Sequence, residues 1–399
     1  MWASVLFIAC LQYARASPQI WNSALDSAWR VAGKPVNLSS TRSVDGNAKD
    51  VAEFSSIGAT CYDARDGSIY ITDFTNDLRS TLLVRRMKDG TVTTFANISN
   101  VQSSTGASCA VDAAGNVYVG FYSESYYTKT LEYHKAHYEV RNMSTKNEVT
   151  MDNDMYGYCS DVHCDMQICN NDLFLLTLQF RYASGTYEGG WSSIFKYSLS
   201  NKTGSNQTVV RDHPIIEMAF RSSCAIVVGD ITGKINSTQD IFGSRSTMET
   251  VVDVGADRVG GIFFDAQQQF WIVVNNETYD SVARWDEKNH KLVEELRVPD
   301  KAITNYEGIR VRALGDSIYF TLNNALYKIP GDPAPKAKAT FESEMTKAFK
   351  KDAVFYGTIA VGALIVISLF IAYQTRGSGG SGSNVAKPPL VRQWTAIKL

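Results

Sequence analysis

Three-residue apolar runs with a large central residue recur along most of the chain, about fifty residues apart. The six runs are Ile69–Ile71, Val117–Val119, Leu173–Leu175, Ala225–Val227, Phe270–Ile272 and Ile318–Phe320. Most follow a turn signal such as Asp66-Gly67, and before each lies another apolar segment that often opens with glycine. Further strand-like segments follow, most clearly Leu82–Met87, a turn at Asp89-Gly90, and Thr91–Phe95. The pattern predicts repeating units of four short strands.

Four strands in about fifty residues is typical of one blade of a β-propeller. Six such units fill the chain from about Trp29 to Pro330, but the sixth ends after its third strand, Ala325–Pro330. A spare strand-like segment, Ala28–Gly33, lies at the other end of the region. Pairing it into the sixth blade would close the ring and remove two sheet edges. We therefore predict an all-β fold, a six-bladed β-propeller over residues 28–332, preceded by a lead-in over residues 17–27.

The first two units resemble a known repeat. The residues that carry the resemblance are Arg30–Gly33, Asp45–Ala48, Asp66–Asp73, Asp89–Phe95 and Gly115–Val119. Over about residues 28–120 the sequence is similar to the NHL-repeat β-propellers, and the likeness fades afterwards. The third and fourth units lack the Asp-Gly turn, and the third carries an insertion near residues 182–193. The resemblance implies an NHL-like propeller and identifies no subfamily.

Apolar segments stand at both ends of the chain. Val5–Leu11 is followed by the small-x-small pattern Ala14-Arg15-Ala16, which is typical of a signal peptide cleaved after residue 16. The basic start of such a signal is missing, and a short uncleaved anchor is the alternative. Ala353–Tyr373 carries no charge and is long enough to span a bilayer as a helix. A stalk over residues 333–352 would precede this C-terminal transmembrane helix, and a basic tail over residues 374–399 would follow it.

Potential glycosylation sites all lie between the two apolar segments. The seven Asn-x-Ser/Thr motifs begin at Asn37, Asn97, Asn142, Asn201, Asn206, Asn236 and Asn276. A single motif arises easily by chance, but seven motifs on the N-terminal side of the predicted transmembrane helix favour an exposed, glycosylated region. We therefore expect a single-pass type I protein of the plasma membrane or an internal membrane, with its propeller outside the cell or in a lumen.

Six cysteines lie in the same region, at Cys61, Cys109, Cys159, Cys164, Cys169 and Cys224. An even number in an oxidising compartment predicts three disulfide bonds, for which fifteen pairings are possible. Cys164 and Cys169 bracket a short loop and form the first predicted pair. A cysteine metal site is the alternative, although the sequence contains no CxxC motif.

Charge and motifs narrow the possible functions. The net charge is −2, without the basic excess of a nucleic-acid-binding protein. The chain contains no GxSxG, HExxH or phosphate-binding glycine loop, so no catalytic residue is assigned. Propellers of related architecture include calcium-dependent lactonases, strictosidine synthase-like enzymes and a zinc amidating lyase. The lyase would need histidines at the channel mouth, where Ser55–Ile57 and Ser103–Thr105 contain none.

Oxygen ligands for a cation are present near the starts of the inner strands. The candidates are Asp154, Glu217, Asn305 and Glu307, which could bind one calcium ion in the channel. The alternative is that they cap strands or contact water. The sequence favours a membrane-anchored, glycosylated propeller that binds a protein or other extracellular ligand without catalysis. The alternative function is a membrane-tethered calcium-dependent hydrolase of the lactonase or strictosidine synthase-like class.

Overall fold

The structure, a computed structural model, divides the chain into two compact units, residues 1–331 and 332–399. It describes part of the first unit. The described residues are 18–35, 42–75, 81–99, 101, 107–123, 137–148, 165–183, 186–201, 203–210, 215–238, 242, 248–255, 258–300 and 309–330. The predicted signal peptide, stalk, transmembrane helix and tail lie outside these ranges. Among the residues within them, no helix has the length and apolar character needed to cross a membrane.

The described chain is almost entirely β-strand, with one short helix, α1 (Ser23–Trp29). The strands are β1 (Gln19–Ile20), β2 (Arg30–Ala32), β3 (Gly46–Asn47), β4 (Ile57–Asp63), β5 (Ser68–Thr75), β6 (Thr81–Lys88), β7 (Thr91–Ile98), β8 (Ser108–Val111), β9 (Val117–Ser123), β10 (His137–Asn142), β11 (Asn147–Glu148), β12 (Asp165–Cys169), β13 (Asp172–Ala183), β14 (Thr186–Ser198), β15 (Thr203–Val210), β16 (Ile215–Phe220), β17 (Ile226–Asp230), β18 (Lys234–Thr238), β19 (Glu249–Asp253), β20 (Arg258–Phe264), β21 (Phe270–Asn275), β22 (Tyr279–Asp286), β23 (Lys291–Pro299), β24 (Arg310–Leu314), β25 (Ser317–Leu322) and β26 (Ala325–Ile329).

These strands form six sheets, which are the six predicted blades. From the outer to the inner strand, blade one is β3-β7-β6-β5-β4, blade two β11-β10-β9-β8 and blade three β15-β14-β13-β12. Blade four is β19-β18-β17-β16, blade five β1-β23-β22-β21-β20 and blade six β2-β26-β25-β24. The strands β4, β8, β12, β16, β20 and β24 contact one another in a closed ring around the central axis. The protein is therefore an all-β, six-bladed propeller.

The N-terminal segment closes the ring. Strand β2 pairs antiparallel with β26, as the spare strand-like segment predicted. The preceding residues also belong to the ring, because β1 pairs parallel with β23 of blade five. Between the two, Trp21 packs edge-on against Trp29, Phe320 and Tyr327. The segment expected as a lead-in therefore joins blade five to blade six.

The apolar runs have a structural reason. In a strand, successive side chains point to opposite faces of the sheet, and a blade packs against a neighbour on each face. In blade one, Tyr70 joins a core cluster with Cys109 and Val119 of blade two. Ile69 and Ile71 join another cluster with residues of blade six. A strand buried on both faces needs consecutive apolar residues, and this need produces the repeated pattern.

Two features noted in the sequence, the Asp89-Gly90 turn and the insertion in the third unit, can be located in the structure. The turn between β6 and β7 has positive φ angles at Asp89 (49°) and Gly90 (71°), the geometry that an Asp-Gly hairpin turn requires. The insertion noted near residues 182–193 falls within the β13–β14 hairpin, in which Arg181 pairs with Gly189 and Gln179 with Trp191.

Two disulfide bonds join neighbouring blades. Cys61 of β4 bonds Cys109 of β8 with a Cα–Cα distance of 5.6 Å, and Cys169 of β12 bonds Cys224 at 5.9 Å. The predicted pair of Cys164 with Cys169 is wrong, because Cys169 ends its strand opposite the loop before β17 in the next blade. Cys159 and Cys164 lie outside the described residues.

Candidate functional site in the central channel

A small cavity of about 40 Å³ lies on the propeller axis. The inner strands of all six blades line it, so it is part of the central channel. Among the described residues, four charged ones line it, namely Asp165 from blade three, Glu217 from blade four, and Arg310 and Arg312 from blade six.

Strand alternation places the two arginines on one face of β24 and separates Asp165 from the apolar residue that follows it in β12. In β24, Val311 between Arg310 and Arg312 joins the core cluster of blades five and six. In β12, Met166 after Asp165 joins the cluster of blades two and three. Because every second side chain points the same way, the charged residues lie on the face of their strand opposite Val311 or Met166, and Asp165, Arg310 and Arg312 all line the cavity.

A β-bulge contributes to the position of Glu217. Ile215 pairs with Asp230 and Glu217 with Gly229, so the register shifts between Ile215 and Glu217. Comparable shifts occur near the starts of β4 and β20. A bulge adds a residue to one strand and re-aims the following side chains. These shifts occur within the first four residues of three of the six inner strands.

An ion pair crosses the channel. Arg312 Nη2 donates to Asp165 Oδ1 at 2.7 Å and joins blade six to blade three, which are opposite in a ring of six. Gln167 Nε2 donates to Asp165 Oδ2 at 2.9 Å and fixes the carboxylate from the same strand. Arg310 Nη1 donates to the carbonyl oxygen of Gly58 in blade one. The channel is therefore bridged across its width at this depth.

Glu217 is the unusual member of the group. Its side chain is 2% exposed, and within the described part of the chain its Oε2 atom has no hydrogen-bond partner. Burial raises the pKa of this carboxyl to about 8, Arg312 opposes the rise and Asp165 adds to it. A buried carboxyl with this pKa is mainly protonated at pH 7, so it can act as a hydrogen-bond donor.

Of the four residues predicted to bind a cation, the structure places one in the channel. Glu217 faces the cavity, whereas Asp154, Asn305 and Glu307 lie outside the described residues. Where the chain is described, no group of three or more His, Cys, Asp or Glu side chains is arranged to hold a metal. The sequence analysis missed Asp165, Arg310 and Arg312. The available signal was the alternation of polar and apolar residues in two inner strands, Asp165-Met166-Gln167 in β12 and Arg310-Val311-Arg312 in β24.

Three aspartates at equivalent positions at or after the ends of inner strands stabilise turns. Asp63 Oδ1 accepts from Arg65 N at 3.0 Å, and Asp112 Oδ1 accepts from Asn116 N at 2.7 Å. Asp265 Oδ1 accepts from Gln269 N at 2.8 Å. Each carboxylate bonds backbone of its own turn and so has a structural role.

Comparison with known proteins finds similar solved structures but no match by sequence. No family model matches the sequence, and no curated protein matches it significantly. Similar solved structures include a gluconolactonase from Xanthomonas campestris, with 12% identity, a TM-score of 0.46, and coverage of 79% of this chain and 95% of that chain. A luciferin-regenerating enzyme gives 9% identity and a TM-score of 0.48, and the match covers 72% of this chain and 95% of that chain. The extracellular domain of a protein described as a putative one-component system from B. thetaiotaomicron gives 11% identity and a TM-score of 0.42. The match covers 75% of this chain and 40% of that chain. Likenesses this weak transfer no activity or ligand.

Proposed function

We propose that this protein is a membrane-anchored, glycosylated propeller that binds a protein or other extracellular ligand without catalysing a reaction. The observation that carries the proposal is the Arg312–Asp165 ion pair across the channel. The cavity beside it, about 40 Å³, has room for about three water molecules, since one needs roughly 10–15 Å³ of such space. A cavity of this volume suits water or a small ion, so a large ligand would bind the outer surfaces and loops of the ring.

The disulfides support an extracellular or lumenal propeller. Disulfide bonds persist in oxidising compartments and are rare in the cytosol. Both bonds join neighbouring blades and so stabilise the ring itself. This location agrees with the proposed signal peptide over residues 1–16 and the proposed transmembrane helix over residues 353–373.

Exposure separates the potential glycosylation sites, and we expect glycans at Asn97 and Asn201 and none at Asn142. Asn97 and Asn201 are exposed, whereas Asn142 is 9% exposed. The Asn142 Oδ1 atom accepts from the backbone N–H groups of Ser144 at 2.9 Å and Thr145 at 3.1 Å. A glycan is bulky and hydrophilic, so an occupied asparagine must lie at the surface. Glycopeptide mass spectrometry of protein secreted or displayed by eukaryotic cells measures occupancy site by site.

Substitution gives the matched control. Asn97→Gln should remove one glycan from the intact mass, and Asn142→Gln should leave that mass unchanged except for the substitution. Full occupancy at Asn142 in folded protein would contradict the placement of this side chain, and an aglycosylated Asn97 and Asn201 would argue against a lumenal propeller.

The alternative function, a calcium-dependent hydrolase, is favoured by one observation. Glu217 lines the cavity, and its buried Oε2 atom has no hydrogen-bond partner among the described residues, which is expected of a vacant cation ligand. Against it, the guanidinium groups of Arg310 and Arg312 face the same cavity and repel a divalent cation.

One experiment separates the two functions. For the binding module we expect no stoichiometric calcium by elemental analysis of the full-length protein, no lactone or ester hydrolysis, and a melting temperature that a chelator leaves unchanged. Binding to a cross-linked cell-surface or lumenal partner should be retained in Glu217→Gln. Calcium at one equivalent that is lost in Glu217→Gln together with hydrolysis would establish the hydrolase instead.

A further inference from the structure

The two disulfide bonds of the described chain differ in exposure. Cys61 and Cys109 are 6% and 7% exposed, and they lie in a core cluster between blades one and two. Cys169 and Cys224 are only half-buried, at the end of β12 and in the turn between β16 and β17. A thiolate has to reach a sulfur atom to reduce a disulfide, so exposure decides which bond is open to exchange.

The backbone of Cys224 lies in the left-handed region, with a φ of 61°. A residue with a β-carbon rarely adopts this conformation, and it persists where the surrounding structure holds it. The N–H of Cys224 donates to the carbonyl oxygen of Arg221 at 2.8 Å, so the left-handed residue closes a tight turn. The bond to Cys169 restrains this turn covalently. Breaking the bond would leave Cys224 free to return to a more favourable backbone conformation.

The same turn contacts the next blade. The N–H of Ser222 donates to Gln268 Oε1 of blade five at 2.7 Å. Arg221 Nη2 lies 3.6 Å from Glu287 Oε1, and the guanidinium lies 5.3 Å from the centre of the Phe264 ring. The disulfide therefore joins blade three to a turn of blade four that also contacts blade five. A rearrangement of this turn is transmitted to three of the six blades.

We propose that the Cys169–Cys224 disulfide is a redox-sensitive switch, which a dithiol reductant of the thiol–disulfide oxidoreductase class opens while the Cys61–Cys109 bond stays closed. One thiolate of the reductant attacks a sulfur of the bond and forms a mixed disulfide, and its second thiol then displaces the protein. The protein gains two electrons and two protons as two thiols, and the reductant leaves as its own disulfide. The switch acts on the turn at residues 221–225 and does not depend on which ligand the propeller binds.

The first test measures which bond opens. The full-length protein in detergent is incubated under native conditions with increasing concentrations of dithiothreitol, alkylated, and analysed by peptide mass spectrometry. We expect Cys169 and Cys224 to be alkylated at a dithiothreitol concentration at least about tenfold below the one that opens the Cys61–Cys109 bond, because a thiolate reaches the exposed bond more readily. Opening of the Cys61–Cys109 bond first, or of both bonds together, would overturn the proposal.

The second test measures whether the turn responds. Hydrogen exchange followed by mass spectrometry should become several-fold faster at residues 221–225 after mild reduction, because the turn opens more often without its covalent restraint. The turn in which Asn116 N donates to Asp112 Oδ1 is the internal control and should exchange at the same rate before and after reduction. Equal exchange at residues 221–225 in the oxidised and reduced protein would show that the bond controls nothing.

A pair of double variants separates the bond from the backbone conformation that it holds. Cys169→Ala/Cys224→Ala lacks the bond and keeps a β-carbon at position 224, so its turn should exchange like that of the reduced protein. Cys169→Ala/Cys224→Gly also lacks the bond, but glycine adopts positive φ angles freely, so its turn should exchange nearly as slowly as in the oxidised protein. Two variants with the same exchange rate would contradict the proposal. Should either variant not fold, the comparison of oxidised and reduced wild type decides alone.

Discussion

Replacing Asp73 with alanine is expected to lower the free energy of unfolding by about 3–5 kcal/mol. The Asp73 side chain is fully buried and accepts from Arg85 Nη1 at 3.0 Å, from Ser43 Oγ at 2.6 Å and from the backbone N–H of Ser55 at 2.8 Å. Arg85 is itself only 1% exposed, so the substitution leaves a buried guanidinium without its most buried acidic partner. The measurement is urea denaturation followed by circular dichroism or tryptophan fluorescence.

The second acidic partner of Arg85 provides the matched control. Asp45 Oδ1 lies 2.6 Å from Arg85 Nη2, but the Asp45 side chain is 47% exposed. Water can replace an exposed carboxylate, so Asp45→Ala should cost about 1 kcal/mol. Equal losses in the two variants would show that burial does not decide the strength of this network. A small loss for Asp73→Ala would mean that the segment before β4 is held to blade one by its apolar contacts.

Most of the fold was predictable because the burial that produces each blade recurs as the same apolar pattern in every repeat. The second strand of each blade is buried on two faces, and Ile69–Ile71 and its five counterparts report that burial directly in the sequence. The closing strand was predictable as well, because the sixth unit lacked a strand and the N-terminus had one to spare. The role of residues 19–29 was not predictable. Their two-residue pairing with β23 and the packing of Trp21 depend on two blades that are distant in the sequence.

The disulfides show where local reasoning fails. Cys61 and Cys109 follow the similar stretches Gly-Ala-Thr and Gly-Ala-Ser in consecutive repeats, so the ring brings them together and the sequence contained the signal. Cys169 and Cys224 occupy different positions in their repeats, a strand end and a loop. Their pairing depends on how blades three and four pack, which spacing alone does not reveal.

The channel was predictable only in part. Glu217 was found because it is an acidic residue near the start of an inner strand. The pairing of Asp165 with Arg312 joins residues 147 positions apart in opposite blades, and it exists only once the ring has closed. Their position could have been inferred from charged residues alternating with apolar ones in β12 and β24, but their partners could not.

Glu217→Gln is expected to raise the free energy of unfolding by about 3 kcal/mol at pH 7 and about 5 kcal/mol at pH 9. The pKa of the buried carboxyl is about 8, above its ordinary value of 4.5. The folded protein therefore holds a proton that the unfolded chain releases above pH 4.5. Stability contributed by this group falls as the pH rises from about 4.5 to about 8 and is constant above. Glutamine has nearly the shape of the protonated acid and carries no such pH dependence.

The measurement is a set of urea denaturation curves at pH 5, 7 and 9 for the wild type, Glu217→Gln and Glu295→Gln. Glu295 is a half-exposed carboxylate that pairs with Arg284, so its substitution should shift all three curves little. The wild type and Glu217→Gln should converge at pH 5 and diverge towards pH 9. Parallel curves at all three pH values would mean that Glu217 is ionised in the folded protein, and a divalent cation or a second partner for its Oε2 atom would then have to be sought in the channel. A gap that opens with pH would instead show that the fold tolerates a destabilising acid at its axis, a cost that a role for the protonated carboxyl explains.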